Sequence, residues 1–401
     1  MLRSSVLQLQ IEKLIYGGDG LSRVDGEVLL TPFVLPGETV EAEKVEARKN
    51  VQRTRLVRVE QASAIRVVPP CPVFGHCGGC HYQHADYAAQ LQFKRGILAE
   101  TLRRVGKIDF DPEQIGIESG DAYGYRNRTQ FHFERGKFGY REMQSRKLVP
   151  IEQCPIASPR INQIIGILNR LVKDRRWPRF IESLEVFTDE NQVQWNVLEA
   201  AQPVARRFFE WLAEEVPGTV GGALDYHVNE DRFLVSGTSF FQVNRFLLPR
   251  LASLAIGDAT GKRAWDLYAG AGLFSLSLSR KFDKVVAVEG GRSAGDLRDN
   301  ARRASASVDV VSEQTEVFLA KSRSAPDFVL ADPPRAGLGK TVTTRLLELK
   351  PPVLVIVSCD PATLARDIAA LLPAYRLAAI RLVDLFPQTY HMETLARLEL
   401  A

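Results

Sequence analysis

No run of apolar residues in this chain reaches the ~18 that a membrane-spanning helix requires. The opening stretch MLRSSVLQLQIEKL also lacks the apolar centre and small-residue cleavage site of a secretory signal. A cytoplasmic protein without a membrane partner is the expectation. In that compartment the five cysteines are not expected to form disulfides, so their spacing must be read for other chemistry. Charge is also scarce: +4 over 401 residues leaves local patches, not bulk charge, to hold any nucleic acid. Repeats and low-complexity tracts are absent, which excludes a solenoid or a disordered linker. What remains is globular material, 45% apolar and 25% charged, and long enough for two or three domains of ~100–200 residues.

Residues 6 to 60 alternate apolar and polar positions between the turn pairs Gly17-Gly18, Asp19-Gly20, Asp25-Gly26 and Pro36-Gly37. That pattern predicts a small OB-like β-barrel over 1–60. Its stretch KVEARKNVQRTRLVR carries Lys44, Arg48, Lys49, Arg53, Arg55 and Arg58 against Glu46. On charge alone this is as readily a solvated strand face as an RNA-binding patch. A central mixed α/β segment, 61–236, follows; a helix near 85–117 with Leu91, Ile97, Leu98 and Leu102 on one face is expected to pack on the last domain. From 237 to 401, strands alternate with helices in RAWDLYAG, KVVAVEG, PDFVLADPP and PVLVIVSCD. Such alternation predicts a parallel, Rossmann-like sheet, so the chain is expected to be α/β overall.

Within that last domain, Asp266 ends a strand and Gly270 and Gly272 form a Gly-x-Gly turn before a helix. Ser275 occupies the place of the third glycine of the dinucleotide fingerprint, which disfavours NAD and FAD. Glu289 ends the next strand, where a carboxylate can take both hydroxyls of a ribose. Turn and carboxylate together suit S-adenosylmethionine. Asp332, in VLADPPRAG, sits at a strand's C-terminal edge on a loop stiffened by two prolines. Enzymes that methylate amines often place an aromatic residue after such prolines; Arg335 stands there instead.

The cysteines divide into four and one. Cys71, Cys77, Cys80 and Cys154 suffice for a zinc site or an iron–sulfur cube, and with a single Cys-x2-Cys pair the spacing leaves both open. His76, His81 and His84 are read as residues around those ligands or facing RNA. Cys359 stands alone between a strand and a helix beginning at Pro361. It is either a core thiol or a nucleophile. Between 123 and 142, Tyr123, Tyr125, Phe131, Phe133, Phe138 and Tyr140 are interleaved with Arg126, Arg128, Arg135, Lys137 and Arg141. These rings are either stacking platforms for RNA bases or the core of a hairpin.

Taken in order, these motifs resemble the RNA 5-methyluridine methyltransferase family, and within it the iron–sulfur branch acting on 23S ribosomal RNA. SFFQVN, DLYAGAGLF, ADPPRAG, SCDPATLARD and PQTYHMET follow one another as in that family, behind CPVFGHCGGC and QCP. The resemblance implies a TRAM domain at 1–60 and a 4Fe–4S cluster on Cys71, Cys77, Cys80 and Cys154, ahead of zinc. It implies S-adenosylmethionine contacts from Gln242, Tyr268, Gly270, Gly272, Glu289, Gln314 and Asp332. Cys359 would be the nucleophile and Glu393 the base. The expected partner of this monomer is RNA, with 23S rRNA first and transfer RNA as the alternative, and not DNA. Two positions depart from the family: Leu273 replaces a polar residue, and Asp360 stands where Asn is common.

The implied chemistry explains the residue types. Uracil C5 is too electron-poor to accept a methyl group unaided, so a thiolate adds at C6 and a base later removes the C5 proton. A helix beginning at Pro361 is expected to lower the Cys359 pKa, and the Asp360 charge to oppose it. Gln242 or Arg335 could donate to the oxygen that forms at C4.

Overall fold

The computed structural model describes residues 6–48 and 51–401. Contacts divide these into two compact units. The first runs up to Leu98 and includes Tyr140–Val149 and Phe386–His391; the second holds Ala99–Gly139, Pro150–Leu385 and Met392–Ala401.

In the first unit the alternating N-terminal pattern produces a six-stranded sheet. Its order is Val6–Gln10, Thr39–Arg48, Val51–Gln61, Glu27–Thr31, Gly20–Val24 and Lys13–Leu14. Neighbours are antiparallel except for Glu27–Thr31 and Val51–Gln61. Leu9, Ile11, Leu29, Val34, Val40 and Ala42 are the inward-facing residues that form its core. The basic run becomes a ladder of cross-strand ion pairs: Arg55 with Glu43, Arg58 with Glu41 at 2.9 Å, and Lys44 with Glu27 at 2.7 Å. Much of the charge offered for RNA is thus neutralised within the sheet. Lys49 lies outside the described residues. Below the sheet, Glu38 is fully buried; burial would raise its pKa, but Arg66 and the amides of Leu35 and Ser63 bring it below the ordinary range.

The second unit is built around an eight-stranded sheet in the order Val308–Val311, Phe282–Val288, Gly261–Leu267, Phe328–Ala331, Val353–Ser358, Glu393–Leu400, Tyr375–Val383 and Gly116–Glu118. The first five strands are parallel, and Glu393–Leu400 is antiparallel to both its neighbours. The fully buried run FVLA explains why Phe328–Ala331 is central: a parallel strand covered on both faces must be apolar throughout. Chain order reverses on either side of Gly261–Leu267, where open α/β sheets bind ligands. The turn Leu102–Gly106, following the helix Tyr87–Thr101, lies against the helix Pro361–Leu371; a side chain at Gly106 would meet the Ala365 carbonyl at 2.8 Å.

A second sheet in this unit pairs Arg128–Glu134 with Ile181–Thr188, and that strand with Val193–Ala200. Tyr125, Phe131 and Phe138 are buried in this region, and Phe133 packs at 4.9 Å from Trp177. The first three rings are core, and Phe133 is partly buried. Tyr123, in contrast, is exposed. Arg128 is also structural: it pairs with Glu185, donates to the Ser239 carbonyl at 2.7 Å and lies over the Phe187 ring.

Candidate active site

Strand register brings Cys359 and Glu393 together. Ser358 pairs with Thr394 across the antiparallel strands Val353–Ser358 and Glu393–Leu400. One step further along that ladder lies the pair Cys359 and Glu393. Because Glu393 opens an antiparallel strand, it stands at the edge where the parallel strands end. Asp332 leaves the sheet at that same edge, directly after Phe328–Ala331. Three groups from distant sequence positions therefore converge.

Their electrostatics differ from the sequence expectation. The Cys359 thiol is pushed up to about 11, first by burial and then by the Glu393 and Asp332 charges, against a lowering contribution from Arg335. In the ligand-free protein the thiol is thus held above the ordinary cysteine range, not below it. Asp360 is not what opposes ionisation: its carboxylate caps the helix Pro361–Leu371, accepting from the amides of Ala362 and Thr363 at 2.9 Å each. Glu393 is only 3% exposed, and burial together with Asp332 holds its carboxyl well above the usual range. Asp332 keeps some exposure, yet burial pushes it to about 7. Two carboxyls with raised pKa values therefore stand beside the thiol.

The Gly turn and its neighbours make a second cluster. Tyr268 adopts φ +63°, an uncommon left-handed conformation for an aromatic residue, and its hydroxyl is raised to about 12 by burial. Gly272 has φ +97° and Leu297 packs so closely that a side chain there would lie 2.7 Å from it. Glu289 accepts from the amides of Gly270 at 2.9 Å and Gly291 at 2.5 Å, bracing the turn. Gln314 packs over Gly290, where an added Cβ would lie 2.6 Å from its Nε2, and donates to the Gly290 carbonyl at 3.3 Å. The structure thus brings Gly270, Glu289 and Gln314 to one place. These residues fit S-adenosylmethionine: an open space faces Gly270, and ribose-binding and amide-bearing side chains flank it. Leu273 instead opens the helix Leu273–Leu278 as a buried residue.

Gln242 is buried on a segment tied down on both sides. Asn127 donates to the Val243 carbonyl at 3.1 Å, and Asn244 donates to the Leu385 carbonyl at 3.1 Å. Phe241 packs among Phe187, Tyr226 and Phe233, whereas Phe240 is exposed.

Two positioning residues escaped the sequence reading. Ser275, noticed only as a missing glycine, donates to buried Asp266 at 2.5 Å; the other Asp266 oxygen has no partner, and burial raises this carboxyl to about 7. Asp367, hidden inside ATLARD, accepts from the Leu338 amide at 2.6 Å while Arg366 donates to the Ala336 carbonyl at 2.7 Å. Together they bolt the loop after Asp332 to the helix after Cys359. Their only sequence signal is position, Ser275 directly after DLYAGAGLF and Asp367 at the end of SCDPATLARD.

None of the five cysteines is paired in a disulfide. The amides of Val73 and Phe74 point at the Cys71 sulfur, an arrangement that favours thiolate, although burial on balance raises its pKa. Such N–H···S contacts and an all-cysteine donor set suit an iron–sulfur cluster chemically. Among the described residues, however, no three His, Cys, Asp or Glu side chains are grouped to hold a metal ion. His84 corrects the expectation of an RNA-facing residue: it is 1% exposed and packs on Phe33 and Phe74.

Residues 318–400 match the family model described as tRNA (Uracil-5-)-methyltransferase. A 23S rRNA (uracil(1939)-C(5))-methyltransferase RlmD of Acidithiobacillus ferrooxidans is 34% identical over 437 residues, covering 98% of this chain and 97% of that protein. An uncharacterized RNA methyltransferase of Aquifex aeolicus is 33% identical over 99% of each chain. The fold is shared with the crystal structure of Pyrococcus abyssi tRNA (uracil-54, C5)-methyltransferase in complex with S-adenosyl-L-homocysteine, at TM-score 0.76 and 24% identity over 98% of this chain and 100% of that one. Matched almost end to end at a third identity, with thiol, carboxyls and Gly turn at one sheet edge, the chain belongs to the RNA (uracil-C5)-methyltransferase family.

Proposed function

We propose that this S-adenosylmethionine-dependent enzyme methylates C5 of a uridine in 23S ribosomal RNA. The supporting observation is the strand register that makes Cys359 and Glu393 neighbours. Cys359, its thiol proton passing to solvent, adds to uracil C6 as the thiolate, and the π pair of the C5–C6 bond moves onto C5 and the C4 oxygen, which makes C5 nucleophilic. Gln242, Tyr268, Gly270, Gly272, Glu289, Gln314 and Asp332 would hold S-adenosylmethionine, which when bound would supply the methyl group from its sulfonium centre and leave as the neutral thioether. Glu393 then takes the C5 proton, the C5–C6 double bond re-forms, and Cys359 departs. A carboxylate in a buried site is a competent base because its raised pKa holds the proton it receives. Arg335 or Gln242 stabilises the oxygen at C4.

In this reading residues 1–60 form a TRAM-type RNA-binding barrel, 61–236 a central domain, and 237–401 the methyltransferase domain of a cytoplasmic monomer. No helix among the described residues is long and apolar enough to cross a membrane. Cys71, Cys77, Cys80 and Cys154 hold a 4Fe–4S cluster of structural use, and no catalytic step passes through it. The family model's description favours transfer RNA as the second substrate to test. Incubation with labelled S-adenosylmethionine and either unmodified 23S rRNA or unmodified tRNA separates the two: label is expected in 5-methyluridine of rRNA. Label only in tRNA would transfer the assignment, and label in neither would overturn it.

A further inference from the structure

The first unit contains a cavity of about 620 Å³ that the methyl-transfer chemistry does not use. Ligand pockets commonly span roughly 300–1,000 Å³. Its wall combines Tyr16, His81 and Tyr390 with Arg53, Arg141 and Asp19. We propose that this cavity binds one unpaired nucleotide of the substrate RNA, separate from the uridine that is methylated. The inference deepens the RNA-methyltransferase reading and rests on it for the identity of the RNA.

The wall has what a base and its phosphate require. Tyr16 meets Tyr390 at 5.4 Å and 84°, and His81 meets Tyr390 at 4.6 Å and 66°. Rings crossed at such angles do not stack on one another, so the wall does not itself supply the face-to-face cover that a flat base provides. The Nδ1 atom of His81 is buried without a hydrogen-bond partner. The His81 ring stands in the cavity wall, where a ring nitrogen can pair with a base edge. Asp19 offers acceptor oxygens to base N–H groups, and Arg53 and Arg141 offer charge to the phosphate. Gly78 and Gly79, between Cys77 and Cys80, complete part of the wall. Tyr390 precedes Glu393 by three positions. A nucleotide seated here therefore touches both the cysteine loop and the segment that leads into the base.

The test measures binding of an end-labelled, unmodified 23S rRNA fragment to the full chain over a range of salt concentrations. Tyr16→Ala is expected to weaken binding about ten-fold, whereas Tyr16→Phe, which keeps the ring, binds as the wild type does. Arg53→Gln is expected to reduce the slope of log Kd against log salt by about one, as loss of a single phosphate contact should. S-adenosylmethionine affinity remains unchanged in all three. Arg53→Gln, at a half-buried position in the strand Val51–Gln61, keeps the test decisive if Tyr16→Ala fails to fold. Wild-type affinity in Tyr16→Ala together with a wild-type salt slope in Arg53→Gln would overturn the proposal. Wild-type chain that binds the fragment without methylating it contradicts the uracil-C5 reading alone, while losses in the variants would still support the pocket.

Discussion

The thiol of Cys359, the proposed nucleophile, is held protonated by its surroundings. Its thiol lies near 11 because burial, Glu393 and Asp332 outweigh Arg335. In the ligand-free protein, alkylation by iodoacetamide is expected to accelerate about ten-fold per pH unit up to that value, since only the thiolate reacts. Glu393→Gln removes a negative charge and should shift the profile to lower pH; Arg335→Ala should shift it higher. A profile unmoved by either substitution would contradict this electrostatic account. Asp266 tests a different consequence of burial. Its ordinary value is 3.8 and its folded value about 7. The folded chain thus holds this proton after the unfolded chain has lost it, so stability falls as pH rises between those values and the penalty is complete above about 7. Asp266→Asn is expected to raise the melting temperature at pH 8 and to do little at pH 4; the reverse dependence would exclude the assignment. Cys359 and Glu393 were legible because their motifs were intact. Their mutual effect was not, because it depends on burial and on which strands pair, and a linear sequence states neither.

At the scale of elements, the site depends on how two loops are fixed to one helix. Asp360 caps Pro361–Leu371 at one end, and Asp367, further along the helix, holds the Leu338 amide of the loop after Asp332. Asp367→Ala leaves that buried amide without its acceptor, at a cost of roughly 1–3 kcal/mol. Thermal unfolding should register the loss, and the KM for S-adenosylmethionine should rise because Asp332 is no longer held. Unchanged stability and KM would mean that the helix and loop are fixed by other contacts. Sequence periodicity located the alternating strands and helices of the last domain, since buried parallel strands such as FVLA leave an unmistakable apolar run. It could not decide the aromatic hairpin. Tyr125, Phe131 and Phe138 are core, Phe133 is partly buried against Trp177 and Tyr123 is exposed, a sorting made by the sheet they pack into and not by their spacing. The basic run at 44–58 was equally ambiguous until register placed Glu41 and Glu43 opposite Arg58 and Arg55.

The whole molecule has two compact units whose membership does not follow the chain. Tyr140–Val149 and Phe386–His391 join the N-terminal unit from far along the sequence, and with them come Arg141 and Tyr390 of the cavity. No local pattern could have announced that. The proposed cluster is also a matter of the whole chain, because its four cysteines are spread from Cys71 to Cys154. Anaerobically purified protein is expected to carry about four iron atoms and four sulfides. Stoichiometric zinc with no iron would replace the cluster by a zinc site. The central claim concerns turnover, and it is tested most directly with RNA carrying 5-fluorouridine at the target position. Fluorine at C5 cannot leave as a proton does, so Glu393 cannot complete the reaction and Cys359 cannot depart. With S-adenosylmethionine present, a stable protein–RNA adduct bearing one added methyl group is predicted, with peptide mass spectrometry placing the bond at Cys359. Attachment at another residue, or methylation of the unfluorinated RNA by Cys359→Ala at the wild-type rate, would contradict the account.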